Sequence, residues 1–169
     1  MSFALAGIAV LVATFAVIWV VGSRMPREHQ GRGTRRVAAS PAAVFAALTD
    51  VAALPEWRPD VKAVEVLPAI LGQPSFRETN AHGTMTFVIS ESLPDRRVVT
   101  TIVDEGQPFG GRWTFELEPE SEGAATRVTI TEDGWVNPPI FRVLSRYVFG
   151  HTATIEAYLA NLEKRFRPN

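Results

Sequence analysis

The chain of 169 residues has no cysteine and only three histidines. Without thiols there is no disulfide, no thiolate metal site and no cysteine nucleophile. His29, His82 and His151 share no ligand spacing, so no metal is expected. A formal net charge of -1 removes the electrostatic case for nucleic-acid binding. A phosphate-cradling Walker loop, a GxGxxG turn behind a strand and a GxSxG elbow are all missing from the sequence. No cofactor is expected.

Charge is absent from one stretch altogether. From Phe3 to Val21 there is no ionisable side chain and no proline, and Thr14 is the single polar residue. A helix of ~19 residues nearly crosses the ~30 Å hydrocarbon core of a bilayer. Only Met1 and Ser2 precede it, and Val20-Val21-Gly22-Ser23 is a poor cleavage site, so the run reads as an anchor over 1–22 and not as a signal peptide. Trp19 suits the interface. Arg24, Arg27, Arg32, Arg35 and Arg36 follow closely, which by the positive-inside rule places the remaining domain in the cytoplasm on a single-pass inner-membrane anchor.

Residues 23–33 are polar and glycine-rich and read as a linker, reaching at most ~40 Å when extended. That reach keeps a binding site near the cytoplasmic leaflet. The domain spans 34–167. Thr34–Ala39 is the first expected strand. Ser40-Pro41 then supplies an N-cap and a first-turn proline for a short helix over Pro41–Thr49, and a second short turn runs from Asp50 to Leu54. Strands are expected at Val61–Leu67, Phe76–Asn80, Thr84–Glu91, Arg97–Asp104, Arg112–Glu118 and Thr126–Glu132. Glycine, proline and aspartate punctuate them at the short spacing of an antiparallel meander. After Pro138-Pro139, the positions Leu144, Val148, His151, Ile155, Leu159, Leu162 and Phe166 recur at three- and four-residue intervals. They predict one amphipathic helix of roughly 25 residues, with Arg142 and Arg146 off its apolar stripe.

This order of elements is the α+β helix-grip arrangement, a meander sheet wrapped around a long C-terminal helix, here preceded by a transmembrane helix. The words at 39–67, ASPAAVFAALTDVAALPEWRPDVKAVEVL, and at 111–134, GRWTFELEPESEGAATRVTITEDG, resemble the START-like (SRPBCC) superfamily, in particular its polyketide cyclase/dehydrase and lipid-transport branch. The resemblance implies a cavity between the sheet and the last helix. Phe87, Trp113, Phe115, Val128 and Ile130 are its expected lining from the sheet, and Tyr147, His151 and Ile155 from the helix. Trp57 matches the family's tryptophan and is expected to fix the short helices over the entrance. GQPFGG at 106–111 is expected as a mobile loop at the mouth.

Three functions follow from these residues. The first is a membrane-anchored domain that binds a lipid or other hydrophobic small molecule without chemistry. The second is a cyclase- or dehydrase-like enzyme. Its acid and base would be His151 and Glu132, because a carboxylate facing an apolar cavity has a raised pKa. Glu132 lies near a strand end, where a solvated carboxylate is the alternative, and Glu78 and Arg77 have the same ambiguity between cavity and solvent. The third is a protein-interaction domain whose cavity its own side chains fill.

Overall fold

The computed structural model describes residues 2–81, 83–104, 106–149 and 152–167. Helix α1 (Ser2–Arg24) leads into strand β1 (Glu28–Val37) after a three-residue joint. The sheet therefore starts inside the stretch expected as a linker. Two of the glycines that suggested a linker, Gly31 and Gly33, are buried in β1, and at Gly33 a side chain has no room. A Cβ at Gly33 would lie 2.7 Å from Ile155 Cγ2 and 3.1 Å from Leu159 Cδ1.

Helix α2 (Pro41–Thr49) begins as its sequence dictates. Ser40 Oγ accepts a hydrogen bond from the Ala43 amide at 3.3 Å, and Pro41 occupies the first turn. A 3-10 turn over Val51–Ala53 and the short helix α3 (Leu54–Trp57) complete the helix pair. Strands β2 (Val61–Ile70), β3 (Gln73–Asn80), β4 (Gly83–Leu93), β5 (Arg97–Ile102), β6 (Phe109–Glu120) and β7 (Ala125–Val136) form a wholly antiparallel sheet with β1 in the order β1-β7-β6-β5-β4-β3-β2. Strand β2 runs through Pro68, where the proline suggested a break. As an edge strand it can lack one amide donor, and Ser75 Oγ donates to the Pro68 carbonyl at 2.6 Å. The GQPFGG stretch is only partly loop: Phe109, Gly110 and Gly111 belong to β6, and the Trp135 ring lies so close over Gly110 that a Cβ would meet it at 2.6 Å.

The helix expected as one piece of roughly 25 residues is divided. Helix α4 (Pro139–Leu144), a π-turn over Ser145–Phe149 and helix α5 (Ala153–Arg165) occupy that stretch. Its middle, YVFGHT, consists largely of β-branched, aromatic and glycine residues, all weak helix formers. The π-turn adds a residue to the local turn and rotates the stripe. Tyr147, expected to face the interior, is consequently 69% exposed. In α5 the stripe holds: Ile155, Leu159 and Leu162 are fully buried against the sheet, each contributing on the order of 2 kcal/mol. Arg35 of β1 pins this helix through Glu156 at 3.3 Å and Glu163 at 3.1 Å.

Helix α1 is long and apolar enough to cross a membrane and projects from the domain with most of its apolar side chains from Ile8 to Val21 exposed. Its last turn packs on α4. A Cβ on Gly22 would collide with the Pro139 carbonyl. Arg142 was expected on the solvent side of a helix, but it is buried there. It donates to the carbonyls of Val136 at 2.8 Å, Gly22 at 3.3 Å and Met25 at 3.3 Å, and to that of Asn137. A cation at the C-terminal end of α1 also meets the negative end of the helix dipole.

Candidate functional site

Antiparallel strands give the sheet two margins. The α1–β1 joint, the β3–β4 and β5–β6 connections and the start of α4 lie on one; the β1–α2, β2–β3, β4–β5 and β6–β7 connections lie on the other. The inner face between them carries most of the candidate residues.

Toward its centre, rings and an ion pair converge. Tyr158 of α5 packs edge-on against Trp57 at 5.3 Å and Trp113 at 5.7 Å, and at 5.3 Å from Phe115. The Arg58 guanidinium covers the same tyrosine ring at 4.9 Å. Arg58 then grips Glu78 with both terminal nitrogens, at 2.8 and 3.2 Å, and reaches Asp60 at 2.5 Å. Side-chain exposure is only 11% for Arg58 and 6% for Glu78. Burial disfavours the Arg58 charge, but Glu78, Tyr158 and Asp60 together more than restore it, and its pKa is raised. Burial also pushes the Tyr158 phenol well above its ordinary value. The indole N–H of Trp57 and the Nε–H of Arg58 are buried without a hydrogen-bond partner among the described residues, each at a cost of about 1–3 kcal/mol.

Of the residues singled out in the sequence, Trp57, Glu78, Trp113 and Phe115 belong to this cluster. Phe87 stacks on Phe76 at 5.2 Å beside it. Val128, Ile130 and Ile155 are fully buried core residues. Arg77 faces outward and pairs with Glu65 at 3.0 Å. His151, like His82, lies outside the described residues, so its pairing with Glu132 has no counterpart here. Glu132 instead approaches His29, whose Nε2 is 4.0 Å from Glu132 Oε1, and burial holds the His29 imidazole below its ordinary value. Two members were missed. Tyr158 falls at the three-residue step between Ile155 and Leu162, so the helical stripe already contained it. Arg58 adjoins Trp57, but its partner is twenty positions away, and only the register of β3 brings Glu78 inward.

Ligand-sized space lies beside the cluster. A cleft of about 420 Å³ opens between the helix pair and strands β2–β4, lined by Val51, Val66, Ala69, Pro74, Phe76 and Ile89 among others. Thr49 and Ser75 also line it, and both hydroxyls are committed, to the Phe45 and Pro68 carbonyls. The β2–β3 turn at its rim presents Leu71, 98% exposed and in the left-handed region with φ 50°.

Solved structures share this architecture. A START superfamily protein from Mycobacterium smegmatis superposes with a TM-score of 0.66 at 21% identity, covering 82% of this chain and 97% of that one. The Zhui aromatase/cyclase from a Streptomyces species gives 0.61 at 17% identity, covering 83% and 96%. Truncated norcoclaurine synthase from Thalictrum flavum gives 0.66 at 11% identity, covering 84% and 95%. At these identities the likeness is one of fold. Among curated proteins nothing matches the chain. The family model described as polyketide cyclase / dehydrase and lipid transport matches residues 28–167, from the first residue of β1 to just beyond α5. The chain belongs to that family.

Proposed function

We propose that the protein is a membrane-held START-like domain that binds a hydrophobic small molecule, lipid or otherwise, in the cleft between the helix pair and β2–β4. The cleft carries this reading. Its volume of about 420 Å³ falls within the ~300–1,000 Å³ range of ligand sites. Its lining is apolar and its hydroxyls are already bonded, so nothing there demands a polar ligand. Helix α1 supplies the membrane attachment, with the N-terminus outside and the domain in the cytoplasm. The cleft rim lies on the sheet margin opposite the one α1 joins. With α1 in the bilayer, ligand therefore exchanges on the aqueous side of the domain.

The test is native mass spectrometry of the full chain, purified from its own membranes in a mild non-ionic detergent. An apolar adduct is expected. It should vanish in Ala69→Trp, which fills the cleft from an exposed edge-strand position and leaves the core alone. An empty chain with a stable protein partner would instead make this an interaction domain. An adduct that is chemically converted on incubation would assign it to cyclase- or dehydrase-like catalysis.

A further inference from the structure

Many arginines of the domain sit against carboxylates, as in Arg35–Glu163, Arg58–Glu78, Arg77–Glu65 and Arg127–Glu120. Around the end of α1 they do not. Among the described residues Arg24, Arg27 and Arg146 have no ion-pair partner, and the buried Arg142 is compensated by carbonyl oxygens alone. A second cleft opens among these residues. It has a volume of about 50 Å³ and is lined by Arg27, His29, Arg142, Ser145 and Arg146, with Glu28 as its one acid. Three arginines against one glutamate leave it positive.

This size holds a group of a few heavy atoms and excludes an acyl chain. Apolar surface nevertheless begins next to it, because the side chains of α1 are exposed up to Val21. A ligand with a small anionic head and long apolar tails fits both features at once. We infer that this cleft binds the phosphate of an anionic phospholipid headgroup, with Arg27 and Arg146 as its charged donors and the tails running along α1. Four of the five Arg142 N–H groups already bond carbonyls at the α1, β7 and α4 junction, which leaves Arg27 and Arg146 as the uncommitted cations. The inference rests on the reading of α1 as a membrane span and is independent of what fills the larger cleft.

The test uses the full chain in neutral-detergent micelles, titrated with dioctanoyl phosphatidylglycerol, dioctanoyl phosphatidylcholine and inorganic phosphate, with binding read by native mass spectrometry. Phosphatidylglycerol should bind at least about fivefold more tightly than phosphatidylcholine, and Arg27→Gln or Arg146→Gln should each weaken it by about fivefold. Arg77→Gln, on the outer face of β3, should change nothing. Equal binding of the two lipids, or unchanged binding in both cleft variants, overturns the inference. Inorganic phosphate binding as tightly as phosphatidylglycerol overturns the headgroup assignment in favour of a free-phosphate site. Both arginines are exposed, so the variants should keep the parent's melting temperature. Extraction of native membranes with alkaline carbonate separates the two readings. A chain that stays in the membrane but shows no lipid preference refutes this site alone, whereas one that washes off refutes the span and the site together.

Discussion

Glu78 shows how little a residue's own sequence context says about its energetics. In FRETN it alternates with Arg77, and either could have faced inward. Pairing of β3 with β2 and β4 places Glu78 in the same row as Val64 and Met85, on the concave side. An ionised carboxylate there is tolerable only because Arg58 meets it with two hydrogen bonds. Removing one partner strands the other charge. Glu78→Ala should therefore lose about 3–5 kcal/mol of unfolding free energy. The double variant Arg58→Met, Glu78→Leu should recover most of that loss, because an apolar pair of similar volume needs no compensation. Urea denaturation of the three proteins checks this, and a double variant no more stable than Glu78→Ala would show that the pair is not the term that matters.

At the scale of elements, the decisive contact is that of α1 with α4. The chain leaves α1 at Arg24 and enters β1 at Glu28, too few residues for a free tether. Gly22 permits close approach to Pro139, and Arg142 ties the carbonyl end of α1 to the end of β7. The domain is thus held at a fixed angle to α1. Because the chain has no native cysteine, spin labels at Val20→Cys and Phe141→Cys, both exposed, can report that angle. Electron-spin distance measurements should give one narrow distribution in the parent and a broad one in Arg142→Ala. A narrow distribution in both would mean that the Gly22–Pro139 packing alone holds the joint.

For the whole molecule, Tyr158 joins the layers: its ring touches α3 through Trp57 and β6 through Trp113 and Phe115, while Arg58 covers its face. Its pKa lies above the ordinary 10.0, chiefly through burial, with Arg58 opposing and Glu78 and Asp60 reinforcing the shift. The native state therefore retains a proton that the unfolded chain loses above pH 10.0. This contribution to stability is complete below that pH and declines as pH rises beyond it. Chemical denaturation of the parent should show stability falling above pH 10, with a shallower fall in Tyr158→Phe. Equal slopes would exclude the phenol as the cause.

The sequence alone determined the run of apolar residues in α1, the Ser40-Pro41 start of α2, the meander and the apolar stripe of α5. Each is a local pattern, set by side-chain period, capping or charge within a few residues. Tertiary structure decided the rest. Gly33 read as linker until α5 was laid across it, and Pro68 read as a break until β2 proved to be an edge strand. Arg142 read as solvent-facing until α1 brought its carbonyls, and Glu78 acquired its role only when Arg58, twenty residues away, met it across the interior. Burial and pairing between distant segments are properties of the folded packing, and no local period of the chain encodes them.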